Sequence, residues 1–149
     1  MSESNLCISD SNNILKSSSV IKRCESNPIL TYKDVPYKSA LVFNAGITKY
    51  NGKYVMIFRN DYGSFEEQIL EGTNLGIAFS DDGIKWNVQN RLCNIIDEIR
   101  KISPENEIKR AYDPRLTVID GKCYMCFAID TQHGVRGGIA VTEDFEKFD

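Results

Sequence analysis

The sequence predicts an all-β protein assembled from β-propeller blades, on three observations. Two stretches of the chain repeat each other at a fixed spacing. Each copy carries a two-residue hairpin turn between strand-like runs. The strand after the first turn, Tyr54 to Phe58, is apolar at successive positions instead of alternating, as a strand covered on both faces is. Antiparallel repeats of this length need neighbours to cover their faces, which is how propeller blades stack.

The repeat itself is plain. Phe43-Asn-Ala-Gly-Ile-Thr-Lys-Tyr-Asn-Gly-Lys-Tyr-Val-Met-Ile-Phe-Arg59 aligns with Tyr112-Asp-Pro-Arg-Leu-Thr-Val-Ile-Asp-Gly-Lys-Cys-Tyr-Met-Cys-Phe-Ala128, an offset of 69 (112 − 43). Thr48/Thr117, Gly52/Gly121, Lys53/Lys122, Met56/Met125 and Phe58/Phe127 are identical. A second match pairs Gly76-Ile-Ala-Phe-Ser-Asp-Asp-Gly-Ile-Lys-Trp86 with Gly138-Ile-Ala-Val-Thr-Glu-Asp-Phe-Glu-Lys-Phe148.

In chain order, residues 1–27 are Ser- and Asn-rich with little apolar periodicity and read as a flexible leader. Order is expected from Asn27-Pro-Ile-Leu30, so residues 28–149 form the first two blades of an incomplete propeller domain. Asn51-Gly52 and Asp120-Gly121 are hairpin signals, because these residues accept the positive φ angles of a type I′ turn. Tyr54 to Phe58 is the doubly covered strand. The polar run Arg59-Asn-Asp-Tyr-Gly63 reads as its exit, and Leu75 to Phe79 as the next strand. Leu92, Ile95, Ile96, Ile99 and Ile102 share one helical face, with Asn94 or Asn90 as cap and Ser103-Pro104 as stop. This short helix covers the join between blades or serves as a dimerisation face. Phe145-Glu-Lys-Phe-Asp149 reads as the third strand of a second blade, cut before its partner.

Composition narrows the function classes. The chain has 149 residues, 42% hydrophobic and 26% charged, with a formal net charge of −3. No apolar run approaches the roughly 20 residues that span a bilayer, and no Lys/Arg cluster suggests nucleic acid or anionic lipid. The start, Met-Ser-Glu-Ser-Asn, lacks a basic and apolar signal, so a cytoplasmic protein is expected. Five scattered cysteines fit reduced thiols. Cys123 and Cys126 lie three apart in a strand-like run, so their side chains should face opposite ways and neither chelate a metal nor bridge.

Polar residues stand at corresponding points of the two copies. The first opens with Asn44-Ala-Gly46 and closes with Arg59-Asn60-Asp61. The second opens with Asp113-Pro114-Arg115 and closes with Asp130-Thr-Gln-His-Gly134. The innermost strands of a propeller line its axis, so such residues converge on one funnel. Arg and Asn donors with Asp acceptors suit a ligand covered with hydroxyls. Asp113 is either a turn aspartate paired with Arg115 or a general acid, which needs a carboxyl group kept protonated.

Five runs together resemble glycoside hydrolase family 130: Phe43-Asn-Ala-Gly46, Phe58-Arg-Asn-Asp-Tyr-Gly63, Asn74 to Trp86, Ala111-Tyr-Asp-Pro-Arg115 and His133-Gly-Val-Arg-Gly-Gly onward. The Asn-Asp-Tyr-Gly and His-Gly-x-Arg-Gly-Gly runs are most similar to the branch of mannosyl-glucose phosphorylases. The resemblance covers residues 27 to 149. It implies a five-bladed propeller and an inverting phosphorolysis of β-1,4-mannosyl-glucose to α-mannose 1-phosphate and glucose. It implies Asp113 as the single catalytic carboxylate, since phosphate is already an anionic nucleophile and needs no second carboxylate as base. It implies substrate contacts at Asn44, Arg59, Asn60, Asp61 and Arg115, and phosphate contacts at His133 and Arg136. It implies inorganic phosphate as co-substrate, no other cofactor and no metal, and it leaves room for a homo-oligomer of the full-length form. A mannooligosaccharide phosphorylase, a β-mannoside hydrolase and a non-catalytic remnant or sugar-binding module are the alternatives. Ala45 stands where other branches carry proline. Family members run to five blades, so these two alone are expected to be unstable or inactive, as a gene fragment or a chain completed by another.

Overall fold

The computed structural model describes residues 19–64, 66, 67 and 69–149. Most of the expected leader, and Cys7 with it, lies outside the described residues. A 3₁₀ turn at Tyr32–Asp34 precedes the first sheet; the Thr31 side chain and the Asp34 carboxylate cap it reciprocally.

The first sheet runs β1 (Leu41–Tyr50), β2 (Lys53–Ser64), β3 (Ile69–Ser80) and β4 (Asn87–Leu92), each antiparallel to its sequence neighbour. The helix α1 (Ile95–Ile102) leads to the second sheet of β5 (Ile108–Ile119), β6 (Lys122–Thr131) and β7 (Gly134–Thr142), in the same order and sense. Both hairpin signals fold as expected. Asn51 and Gly52 have φ of 49° and 82°, Asp120 and Gly121 50° and 78°, and these left-handed pairs match the strand twist.

Burial on two faces explains the apolar run of β2. Val55 and Ile57 point into the junction between the sheets, with Leu75 and Ile77 beside them and Met125, Phe127 and Ala140 opposite. Met56 and Phe58 point the other way, into a second core with Ala78, covered by Leu30, Val35, Tyr37 and Trp86. All four β2 residues are at most 3% exposed. On β6 the alternation places Cys123 in the junction and leaves Cys126 exposed on the opposite face, as the strand period requires.

Three sequence expectations need correction. The polar run after Phe58 is not an exit from the strand. β2 continues to Ser64 and pairs with a β3 that begins at Ile69. The polar side chains sustain the ladder by pairing across it: Asn60 Nδ2 donates to Asn74 Oδ1 at 2.9 Å, and Thr73 Oγ1 to Asp61 Oδ1 at 2.7 Å. Leu92 belongs to β4 and not to the helix, which begins after Asn94. Ile95, Ile96 and Ile99 pack on the junction core, while Ile102 is 82% exposed, so α1 covers the join with its first turns.

The third correction concerns Phe145 to Asp149, which is a turn beyond the third strand. Thr142 Oγ1 accepts from the backbone N–H of Asp144 and Phe145, and Asp144 Oδ1 from those of Glu146 and Lys147. These bonds reverse the chain as Ser80 and Asp82 do in the first blade, where they take the N–H groups of Asp82, Gly83, Ile84 and Lys85. Beyond the turn Asp149 exchanges two backbone hydrogen bonds with Val141, where Asn87 pairs with Phe79 in the first sheet. Gly83 takes φ +75° in the first turn, and Phe145 takes φ +60° in the second. That cost is offset by burial: the Phe145 ring is 3% exposed and meets Tyr50 and Phe79 edge-on at 5.6 and 5.9 Å.

Candidate active site

The two inner strands, β1 and β5, pack side by side, and each is broken by a bulge at the same repeat position. Between Phe43↔Arg59 and Gly46↔Ile57 two residues of β1 face one of β2. Between Tyr112↔Ala128 and Arg115↔Cys126 the same happens on β5. The bulged residues are Asn44 (φ 48°) and Asp113 (φ 54°), types that tolerate the left-handed region better than most. Pro114 completes the second bulge and is fully buried; at a bulge its missing N–H costs no ladder bond. Gly46 lets the inner strands close, since a Cβ there would stand 2.8 Å from the Pro114 carbonyl oxygen and 2.9 Å from Arg115 Cα.

This approach brings the bulge residues into contact. Asn44 Nδ2 donates to Asp113 Oδ1 at 2.9 Å, and Arg59 Nη1 reaches the same oxygen at 3.4 Å. Asp113 Oδ2 takes no bond from any described residue, and the side chain is 35% exposed. Arg59 is anchored from behind: Nε and Nη2 bond both oxygens of Asp61 at 2.9 and 2.8 Å, and Thr73 donates to that carboxylate as well. Its guanidinium lies 4.7 Å from the Phe43 ring and 5.0 Å from the Tyr112 ring. The hydrogen bond to Asp61 pushes the Arg59 pKa up. For Asp61, burial works upward, but the bonds from Arg59 and Thr73 and the guanidinium charge outweigh it and hold the carboxyl below its ordinary value.

A second carboxylate cluster lies beside the first. Asp130 Oδ2 accepts from Arg110 Nε at 2.5 Å and its Oδ1 from the Tyr112 hydroxyl at 2.8 Å. The Arg110 bond, then the Tyr112 bond, hold the Asp130 carboxyl low, and the same bond to Asp130 pushes the Tyr112 phenol up.

Of the residues singled out in the sequence, Asn44, Arg59, Asp61 and Asp113 therefore form one cluster. Arg115 stands beside it, with Nη1 donating to the carbonyls of Pro114 at 2.7 Å and Asn44 at 3.4 Å, so it braces the inner strands and does not ion-pair with Asp113. Asn60 is not brought into the cluster. It is wholly buried on the opposite face of β2, with its amide donating to the Lys38 carbonyl and to Asn74. His133 and Arg136 are apart from it too, lining a cleft under α1 with Ile99, Ser103 and Thr131. Sequence reasoning missed the roles of Phe43, Tyr112 and Thr73. The first two are repeat equivalents, and an aromatic preceding each bulge was the available signal.

Comparison with known proteins fits this geometry. The family profile of glycoside hydrolase family 130, described as beta-1,4-mannooligosaccharide phosphorylase, matches residues 12–149. A beta-1,4-mannooligosaccharide phosphorylase of Ruminococcus albus is 29% identical over 134 residues, which cover 87% of this chain and 37% of that protein. A 1,2-beta-oligomannan phosphorylase of a Thermoanaerobacter species is 29% identical over 109 residues, 72% of this chain and 35% of the relative. The crystal structure of a glycosyl hydrolase from Bacteroides ovatus superposes with a TM-score of 0.67 at 21% identity, over 86% of this chain and 39% of that one. The chain thus spans little more than a third of the relatives it matches, and its two sheets are two blades of a five-bladed propeller. By the extent of the family match and the order of its motifs, this chain belongs to glycoside hydrolase family 130, a family of mannoside phosphorylases.

Proposed function

We propose that the chain carries the acid side of an inverting phosphorylase that cleaves β-1,4-mannosyl-glucose with inorganic phosphate. The observation that supports it is the Asp113 carboxylate, held through Oδ1 by Asn44 and Arg59 at the meeting of the inner strands, with Oδ2 left open. Phosphate attacks the anomeric carbon from the face opposite the leaving glucose. The C1–O bond to glucose breaks, a C1–O bond to phosphate forms, and the configuration inverts. The departing oxygen needs one proton, which Asp113 supplies by way of the mannose 3-hydroxyl, the route that the family resemblance implies. No second carboxylate is needed as base, because the nucleophile arrives ionised.

Arg59 is half spent on Asp61 and keeps N–H donors for sugar hydroxyls. Arg115, beside the cluster, forms no ion pair with a carboxylate among the described residues and is this chain's candidate for the phosphate side; His133 and Arg136, in the cleft under α1, are not. Asn60-Asp61-Tyr62-Gly63 favours glucose as the leaving sugar; the Ruminococcus albus relative favours a mannooligosaccharide.

The test is made on the protein that carries this chain. Phosphate-dependent release of glucose from mannosyl-glucose should fall by about 10³-fold or more in Asp113→Asn. Retention of most activity would sink the acid assignment, and release without phosphate would point to a hydrolase.

A further inference from the structure

Arg110 and Asp130 are partners across the β5–β6 ladder, and neither lies on the path of the proton described above. Asp130 engages both oxygens, one on Arg110 Nε and one on the Tyr112 hydroxyl, so it holds two neighbours in place. The Tyr112 ring, tethered in this way, lies 5.0 Å from the guanidinium of Arg110 and also 5.0 Å from that of Arg59. Arg59 in turn makes its long 3.4 Å contact to Asp113, the residue that follows Tyr112 in the chain. A contact of that length is lost by a small shift of either partner.

The repeat sharpens the point. Asp61 and Asp130 occupy the same position in their blades (130 − 61 = 69). Asp61 grips Arg59 directly; Asp130 grips the ring on which Arg59 rests. One guanidinium is thus held by both blades. We propose that Arg110 and Asp130 are positioning residues for the phosphorolysis, acting through Tyr112 on Arg59 and so on Asp113, a role that rests on the reading of Asp113 given above.

The pair is partly open to solvent, with side chains 35% and 20% exposed, so removing it should cost little stability and its effect should be visible in turnover. In the protein that carries this chain, Tyr112→Phe and Asp130→Ala are each expected to lower kcat about tenfold, with KM within about twofold and the melting temperature nearly unchanged. Asp130→Asn, which keeps an acceptor for the Tyr112 hydroxyl, should recover most of that loss. The double variant Tyr112→Phe/Asp130→Ala should lose no more than the worse single one, because both cut the same tether. Tyr112→Phe deletes a single hydroxyl, so it keeps the test readable should Asp130→Ala fail to fold.

A kcat within twofold of the parent in Tyr112→Phe, a loss confined to KM, or full additivity in the double variant would each overturn the proposal. Asp113→Asn assayed alongside separates the two claims. An inactive Asp113→Asn beside an undiminished Asp130→Ala removes the positioning role alone. An active Asp113→Asn removes the acid assignment and the positioning role with it.

Discussion

Asn44 and Asp113 stand at the same point of corresponding strands, on matching bulges, with φ of 48° and 54°, yet one is a hydrogen-bond donor and the other a carboxylate. The same holds around them. Arg59 in the first blade corresponds to Ala128 in the second, Gly46 to Arg115, and Gly83 to Phe145. What the two blades share is backbone: hairpin turns, bulges, and the hydroxyl–carboxylate turn after the third strand. What they do not share is chemistry and contact. Duplication provides two equivalent frames, and divergence at a few positions makes them complementary. The bulge amide of one blade donates to the bulge carboxylate of the other, and the glycine of one makes room for the proline and arginine of the other.

Making the blades alike is therefore the way to test the comparison. Asp113→Asn gives the second blade the residue of the first and is expected to have the largest effect, the loss of about 10³-fold or more in phosphorolysis stated above. Next comes Phe145→Gly, which copies Gly83. It relieves the left-handed backbone but removes a buried ring from between Tyr50 and Phe79, for a net loss of about 3 kcal/mol in denaturant unfolding. A neutral result would mean that the ring is not what fastens the blades.

Gly46→Ala moves the first blade toward the second, whose equivalent residue bears a side chain. The added Cβ meets backbone atoms of Pro114 and Arg115, which cannot rotate aside, so unfolding free energy should fall by about 2 kcal/mol. Unchanged stability there would deny the close approach of the inner strands. Asn44→Asp makes both bulges acidic and replaces a donor–acceptor pair with two carboxylates. A loss of about 1 kcal/mol at neutral pH is expected, smaller in acid, read from melting curves at both.

The smallest effect is common to both blades. Asp82 and Asp144 sit in the equivalent turns, each held below the ordinary value of 3.8, first by the backbone N–H groups of Lys85 and Lys147 respectively, then by those of Ile84 and Glu146. A carboxyl whose folded value is depressed adds stability that is complete above its ordinary value and is lost as the pH falls through the lowered one. Melting temperature should therefore decline below about pH 4, and Asp82→Asn should flatten that decline.

Much of this plan was legible in the sequence. The offset of 69 alone pairs Asn44 with Asp113, and the hairpin dipeptides locate the strands beside them. What escaped was decided by side chains reaching across strands. The polar run Arg59 to Gly63 resembles a loop until Asn60 is seen to meet Asn74 and Asp61 to meet Thr73. Phe145 reads as a strand residue because its ring is buried against Tyr50 and Phe79 of the neighbouring blade, which local pattern does not register. Asn60 and His133 stand in the polar runs that close the two copies, and Arg136 in a motif likeness, but the structure places Asn60 on a buried face and the other two in a separate cleft.

Strand β2 belongs to two cores at once, with Val55 and Ile57 in one and Met56 and Phe58 in the other. Its amides are then guarded from both sides, and releasing either face exposes the other. In hydrogen–deuterium exchange β2 should open only with the whole sheet, while the flanking β4 and β7 exchange through smaller, local openings. Arg59, the residue that bridges the blades, thus rides on a strand expected to open late in exchange.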